Sequence, residues 1–265
     1  MKPKILVISG YGINCEEETK EAFDLSGGKS EIVHINDLIN GIKKIENFQI
    51  IAFPGGFAYG DDTGAGNAFA QRVRNHLWEK IKKFIQKDKL IIGICNGFQV
   101  IANLGLIPAL NFDYGNRQIA LLHNESARYQ NRWVDLKIEN KSPWLNNLEN
   151  FSAVVAHGEG KFFATEEVLK QMKIKGLVAL RYVAGEICQY QNLPHNPNGA
   201  LDGIAGITDE TGRILGLMPH PERSMFFTQR PDWPYLKEKL NREKKIMPKY
   251  TKALEIFKNA IKYFN

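Results

Sequence analysis

Short apolar runs and longer amphipathic stretches alternate along the first half of the chain. The runs at 4–9, 31–35, 49–53 and 90–94 are rich in β-branched residues and have the length of buried strands. Between and after them, 16–26, 66–87 and 96–104 carry apolar residues at helical spacing. Strand and helix signals in turn predict an α/β fold: a mostly parallel, doubly wound, flavodoxin-like sheet covered on both faces. Such sheets bind ligands beyond the carboxyl ends of their strands. Further strand-like runs at 151–156, 177–183, 203–208 and 214–218 extend the sheet. Near the carboxyl terminus, Ala253, Ile256, Phe257, Ala260, Ile261 and Phe264 recur at helical spacing, which predicts a helix with one face docked on the body. One domain over 1–265 is expected, with a basic helical extension over about 225–265. No internal repeat is found, and no low-complexity run beyond the turn-rich Asn192 to Asn198.

Composition fits a protein that buries one sizeable core, with 43% hydrophobic and 24% charged residues in a chain of 265. The net charge of +6 invites a nucleic-acid reading, but its location argues against one. Residues 236–265 hold nine Lys/Arg and three Glu, while the rest of the chain is balanced at 26 of each sign. The excess is one tail, whose lysines fall on the solvent face of the expected helix. Three cysteines without paired spacing argue against a disulfide framework and against zinc, so no metal is expected, and a reducing, cytoplasmic setting is. No apolar run has the length of a signal peptide core or a membrane span, so no membrane partner is expected.

The candidate chemistry begins at Cys95, in KLIIGICNGFQVIANLG (89–105). The strand ends at Ile94 and the helix begins at Asn96, so the cysteine occupies the turn. Gly93 and Gly97 flank it at i−2 and i+2, as small neighbours must where a helix start crosses close to a strand end. The pattern is that of a nucleophile elbow, with the sulfur at a helix start whose free N–H groups favour an anion. A buried structural cysteine is the alternative at this point.

The second half of the site lies in LGLMPHPERS (215–224). A short strand ends at Pro219, and His220 and Glu222 follow. In an extended segment, side chains at i and i+2 point the same way. Glu222 can then accept from Nδ1 of His220 and leave Nε2 facing a thiol, the arrangement for nucleophilic attack on a carbonyl. A third strand runs into Pro54-Gly55-Gly56, where backbone N–H groups can approach a ligand closely. The N–H groups of Gly56 and Asn96 form the natural oxyanion pair. The same two glycines make the loop cheap to rearrange, which leaves room for gating by assembly.

Taken in order, Pro54-Gly55-Gly56, Gly93 to Gln99 and His220-Pro221-Glu222 resemble the class I (triad) glutamine amidotransferases. Five more specific motifs look like one branch, the glutaminase subunit of phosphoribosylformylglycinamidine synthase. They are Gly12 to Glu18, Gly55 to Asp61, Asn124 to Trp133, Ala156 to Lys161 and Met218 to Arg223, within a resemblance spanning residues 3–224. The resemblance implies hydrolysis of glutamine to glutamate, with ammonia passed to a separate synthetase subunit of purine biosynthesis. It implies no cofactor in this chain, ATP and Mg²⁺ in the synthetase, and a small bridging subunit. Cys95 would be the nucleophile, His220 the base and then the acid, and Glu222 its orienting partner. Gln99 matches the glutamine that contacts substrate, and His157, Gly158 and Glu159 match the segment that contacts the substrate's α-amino and carboxylate groups. The segment Met225 to Lys249 looks like an added excursion.

Two cysteines compete with Cys95. Cys15 precedes three glutamates, whose charge raises a thiol pKa, so a packing role beside the site is expected. Cys188 has no His or Gly-rich partner, in what reads as strand or loop. Two other functional classes remain: a stand-alone cysteine hydrolase or peptidase of the PfpI type, and a silent regulatory subunit. The first would not require His220-Pro221-Glu222 or Gln99, and the second would be expected to have lost a triad member.

Overall fold

The structure is a computed structural model describing residues 2–265. The first half alternates as expected: β1 (Lys4–Ser9), α1 (Glu16–Leu25), β2 (Lys29–His34), α2 (Ile35–Ile39), β3 (Ile50–Phe53), α3 (Asn67–Ile85), β4 (Leu90–Ile94) and α4 (Asn96–Asn103). The second half is richer in strands: β5 (Ala120–His123), β6 (Gln130–Ile138), β7 (Phe151–His157), β8 (Glu159–Phe163), α5 (Glu166–Ile174), β9 (Val178–Val183), α6 (Glu186–Gln191), β10 (Ile204–Thr208) and β11 (Ile214–Leu217). Two helices close the chain, α7 (Trp233–Arg242) and α8 (Glu255–Lys262).

Nine strands form one sheet in the order β2-β1-β3-β4-β11-β10-β9-β6-β7, and β5 pairs with β8 apart from it. The first five run parallel. β3 and β4 are buried along their whole length, as strands covered on both faces must be. From β11 outward the pairings are antiparallel. A short turn joins β10 to β11, which is too short for the helical crossover a parallel pair needs.

Three strands were not visible in the sequence. β6 carries Arg132, Asp135 and Lys137, which hide its apolar pattern. Asp135 is nonetheless buried, because its carboxylate accepts the Cys188 N–H at 2.9 Å and the Ser152 hydroxyl at 2.8 Å. That carboxylate sits at the start of α6, which places Cys188 in a helix, not in a strand or loop. Burial pushes the Cys188 thiol pKa up.

The expected terminal helix is α8. Ile256, Phe257, Ala260 and Ile261 are buried, and the Phe257 ring meets Phe23 of α1 edge-on at 4.9 Å. The 225–249 excursion leaves and returns at one point, where Thr251 N–H donates to Met225 O at 2.7 Å. Its helix α7 has no buried residue. Among the described residues no helix is long and apolar enough to cross a membrane.

Candidate active site

The loops after β3, β4, β7 and β11 meet at one end of the sheet, and the parallel order puts β4 between β3 and β11. Cys95 lies in the turn from β4 to α4 with φ 52° and ψ −108°, a conformation an L-residue rarely adopts. The turn is held from both sides. Cys95 N–H donates to Leu217 O of β11 at 2.8 Å, and a Cβ on Gly97 would stand 1.8 Å from Phe53 O of β3. Only glycine lets α4 start this close to β3. The Cys95 sulfur faces the Ala156 carbonyl at 3.7 Å, at the end of β7.

His220 is anchored through its backbone to β7: its N–H donates to Val154 O at 2.7 Å. Ser224 closes the bracket, its hydroxyl donating to His220 O and accepting from Val154 N–H, both at 2.9 Å. The imidazole Nδ1 lies 2.6 Å from Glu222 Oε1, and both side chains are buried. The segment is not extended as expected. Pro221 to Arg223 form one turn of 3₁₀ helix, and Glu222 reaches the ring by that turn instead. Burial works against a charged imidazole here. The Glu222 carboxylate and the neighbouring Cys95 and Cys15 sulfurs outweigh it and hold the His220 pKa well above its ordinary value. Nε2 has no hydrogen-bond partner among the described residues.

A buried cysteine on a strained elbow thus faces a His–Glu pair at the carboxyl end of a sheet. Against known proteins, the family model described as "CobB/CobQ-like glutamine amidotransferase domain" matches residues 2–264. The chain belongs to the glutamine amidotransferases. It is 49% identical over 269 residues to the "Phosphoribosylformylglycinamidine synthase subunit PurQ" of Methanococcus maripaludis strain C5, covering 100% of both chains. It is 34% identical to 19% of the much longer "Phosphoribosylformylglycinamidine synthase" of Dictyostelium discoideum, a match covering 97% of this chain. Among solved structures, "Structure of PurLQS from Thermotoga maritima" contains a chain matching at a TM-score of 0.73 and 27% identity, with both chains fully covered. The family model runs past the last motif read from the sequence and through α8.

The other candidate residues of this amidotransferase divide by what their side chains do. Asn96 opens α4, where its backbone N–H is one of the helix-start donors. Its side chain accepts from Ala58 N–H at 3.1 Å and donates to Asp61 at 3.0 Å and to Gln99 Oε1 at 2.9 Å. The Gln99 amide donates to Glu159 O at 2.7 Å, so both ends of that side chain are engaged. The Glu159 carboxylate accepts from Ala65 N–H at 3.2 Å and braces the loop after β3. Gly158 offers its backbone, with its carbonyl accepting from Asn124 N–H at 2.9 Å.

His157 is buried with Nδ1 3.0 Å from Asn124 Oδ1. The Asn124 amide nitrogen already donates to His157 O and Arg128 O, so its Oδ1 accepts and Nδ1 carries the proton. Burial, followed by the charge on His220, drives the His157 pKa down to about 3. This histidine stays neutral.

Cys15 packs where the sequence placed it, beside the site, and its pKa is raised. Burial is the leading cause, and among carboxylates Glu222 and then Glu18 add to it, not the run of three glutamates as a whole. Cys15, His220 and Glu222 could each offer a metal ion one ligand atom within 4.8 Å of the others. The 2.6 Å contact commits Nδ1 and Oε1 to one another, which suits an acid–base pair.

Ser224, Asp61 and Asn124 were not singled out from the sequence, though all three lie in or next to quoted motifs. Asp61 accepts from Asn96 and from Gly66 N–H at 3.2 Å; burial, with Glu159 and Asp62 nearby, raises its pKa. Gly55 O accepts from the N–H groups of Asn14 at 3.3 Å and Cys15 at 3.2 Å. The glycine pair is therefore not a loose hinge, contrary to the expectation from its composition.

Proposed function

We propose that this chain hydrolyses glutamine to glutamate and ammonia as the glutaminase subunit of phosphoribosylformylglycinamidine synthase. The observation that carries the reading is the Cys95 elbow facing the buried His220–Glu222 pair, in a chain matched end to end by synthase subunits. The Cys95 thiolate attacks the carboxamide carbon. The oxyanion is met by the N–H groups of Gly56 and Asn96, donors placed before charge develops. His220, kept protonated by Glu222, gives its proton to the departing ammonia. It then takes a proton from the water that hydrolyses the γ-glutamyl thioester, and the thiolate is restored.

Gln99 holds the floor of the substrate site through its bonds to Asn96 and the Glu159 carbonyl. The backbone of His157, Gly158 and Glu159 takes the α-amino and carboxylate groups. Ammonia passes to a synthetase subunit that binds ATP and Mg²⁺, with a small bridging subunit completing the complex. This chain itself carries no cofactor and works in the cytoplasm. The test is glutamate release by the purified chain, alone and with its synthetase, nucleotide and ribonucleotide substrate. Hydrolysis that depends on Cys95 and is coupled to product formation in the complex is expected. No glutamate release with all components present would overturn the reading.

A further inference from the structure

The loop from Gly10 to Cys15 lies outside the reacting groups, yet it makes a continuous backbone contact with the loop after β3. Phe57 N–H donates to Gly12 O at 2.8 Å and Tyr59 N–H to Tyr11 O at 2.9 Å, while Ile13 faces Gly56 as in an antiparallel ladder. At the centre, Gly55 O accepts two donors, from Asn14 and Cys15. A trans peptide is planar, so its C=O and the following N–H point in opposite directions. Two donors on Gly55 O therefore fix the Gly56 N–H as well. It points away from the 10–15 loop and makes no hydrogen bond within the described residues.

The approach is close enough to demand glycine on both sides. A Cβ on Gly12, at φ 84°, would stand 2.1 Å from Phe57 O, and one on Gly56 would stand 2.6 Å from Gly12 O. The loop is tied down in turn. Ile13 N–H donates to Gly10 O at 3.1 Å, and Cys15 O accepts from both the backbone N–H and the hydroxyl of Thr19 in α1. The Cys15 thiol donates to Asn14 Oδ1 at 3.2 Å and lies beside Gly55 and His220. Reversing the Gly55–Gly56 peptide would strip the buried Gly55 carbonyl of both donors and leave the N–H of buried Cys15 unpaired, a costly change.

We infer that Gly12, Asn14 and Cys15 are positioning residues that preset the oxyanion hole: the Asn14 and Cys15 N–H groups hold Gly55 O, and Gly12 lets the loop come close and accepts from Phe57 N–H. The inference rests on the glutaminase reading above. It assigns the Cys15 amide the task of holding the oxyanion peptide, distinct from the place of its thiol beside His220.

The test compares two reactions at Cys95. An aldehyde analogue of glutamine forms a tetrahedral adduct with an oxyanion, whereas iodoacetamide alkylates sulfur by displacement and develops none. Gly12→Ala is expected to weaken aldehyde binding and lower kcat/KM about 10²–10³-fold, the scale for one oxyanion donor, while alkylation of Cys95 stays within a few-fold of wild type. Equal loss in both reactions would mean general damage to the site and would overturn the inference, as would unchanged aldehyde affinity. If Gly12→Ala does not fold, amide exchange on the wild type decides. Asn14 and Cys15 N–H groups should stay protected when the aldehyde binds, while the Gly56 and Asn96 resonances shift; loss of protection at 14 and 15 would overturn the clamp. A wild type that binds no aldehyde and releases no glutamate beside its synthetase would instead overturn the glutaminase reading.

Discussion

His157 and His220 sit close enough to influence one another, yet their environments send them opposite ways, and His157 leaves a measurable signature. Its folded pKa is about 3, against an ordinary value near 6.5. As pH falls through about 6.5 the unfolded chain takes up a proton that the folded chain refuses. The stability contributed by neutral His157 is therefore complete above that pH and is lost as pH falls toward 3. Between pH 7 and pH 5 the linkage amounts to about 2 kcal/mol. His220 has the opposite sign: its contribution is present at low pH and lost as pH rises through its raised value. It is common to both chains below and drops out of their difference. His157→Asn cannot titrate, and its amide stands in for the Nδ1 donor to Asn124. Urea unfolding of wild type and variant at pH 7 and pH 5 should show wild type losing about 2 kcal/mol more than the variant. Parallel losses would refute the buried neutral ring. The same variant should hold kcat to within a small factor, since burial leaves the free Nε2 of His157 too weakly basic to take a proton.

Removing His220 should instead lower kcat at least ~10²-fold, the scale for general acid–base catalysis, and stopped-flow turnover of His157→Asn and His220→Ala decides between the two. Cys95→Ala should abolish glutamine hydrolysis, and a glutamine-mimicking chloroketone should label Cys95 alone; mass spectrometry placing the adduct on Cys15 or Cys188 would contradict the assignment. Ser224→Ala removes the hydroxyl's contacts with His220 O and Val154 N–H, leaving the direct His220–Val154 bond, and should lower kcat about tenfold, less than loss of the base itself, with KM little changed in steady-state assays.

The parallel half of the sheet and the three site loops were legible because each depends on short-range signals. β4 is a pure apolar run, Gly93 and Gly97 mark a crowded turn, and His220 and Glu222 are two residues apart. β6 escaped because its buried Asp135 reads as a surface residue until Ser152 and Cys188, 17 and 53 positions away, are seen to pair with it. Glu159 and Gln99 were legible as members of the site, but their engagement with Ala65 and with one another depends on contacts across 94 and 60 positions. The geometry linking His220 to Glu222 was expected in an extended segment and is achieved by a turn, a local detail that the i, i+2 rule cannot resolve.

The backbone at Cys95 has a consequence for how this fold would respond to selection. A residue with a side chain is held at φ 52°, ψ −108°, between two strands that leave no room to relax, and such conformations carry a strain of about 1–3 kcal/mol. Glycine there would be free of that strain. Cys95→Gly is thus expected to melt higher than the wild type while being chemically dead. A screen of this family for thermal tolerance alone would drift toward discarding the nucleophile, so thermostable variants need to be sorted by turnover before they are sorted by melting temperature.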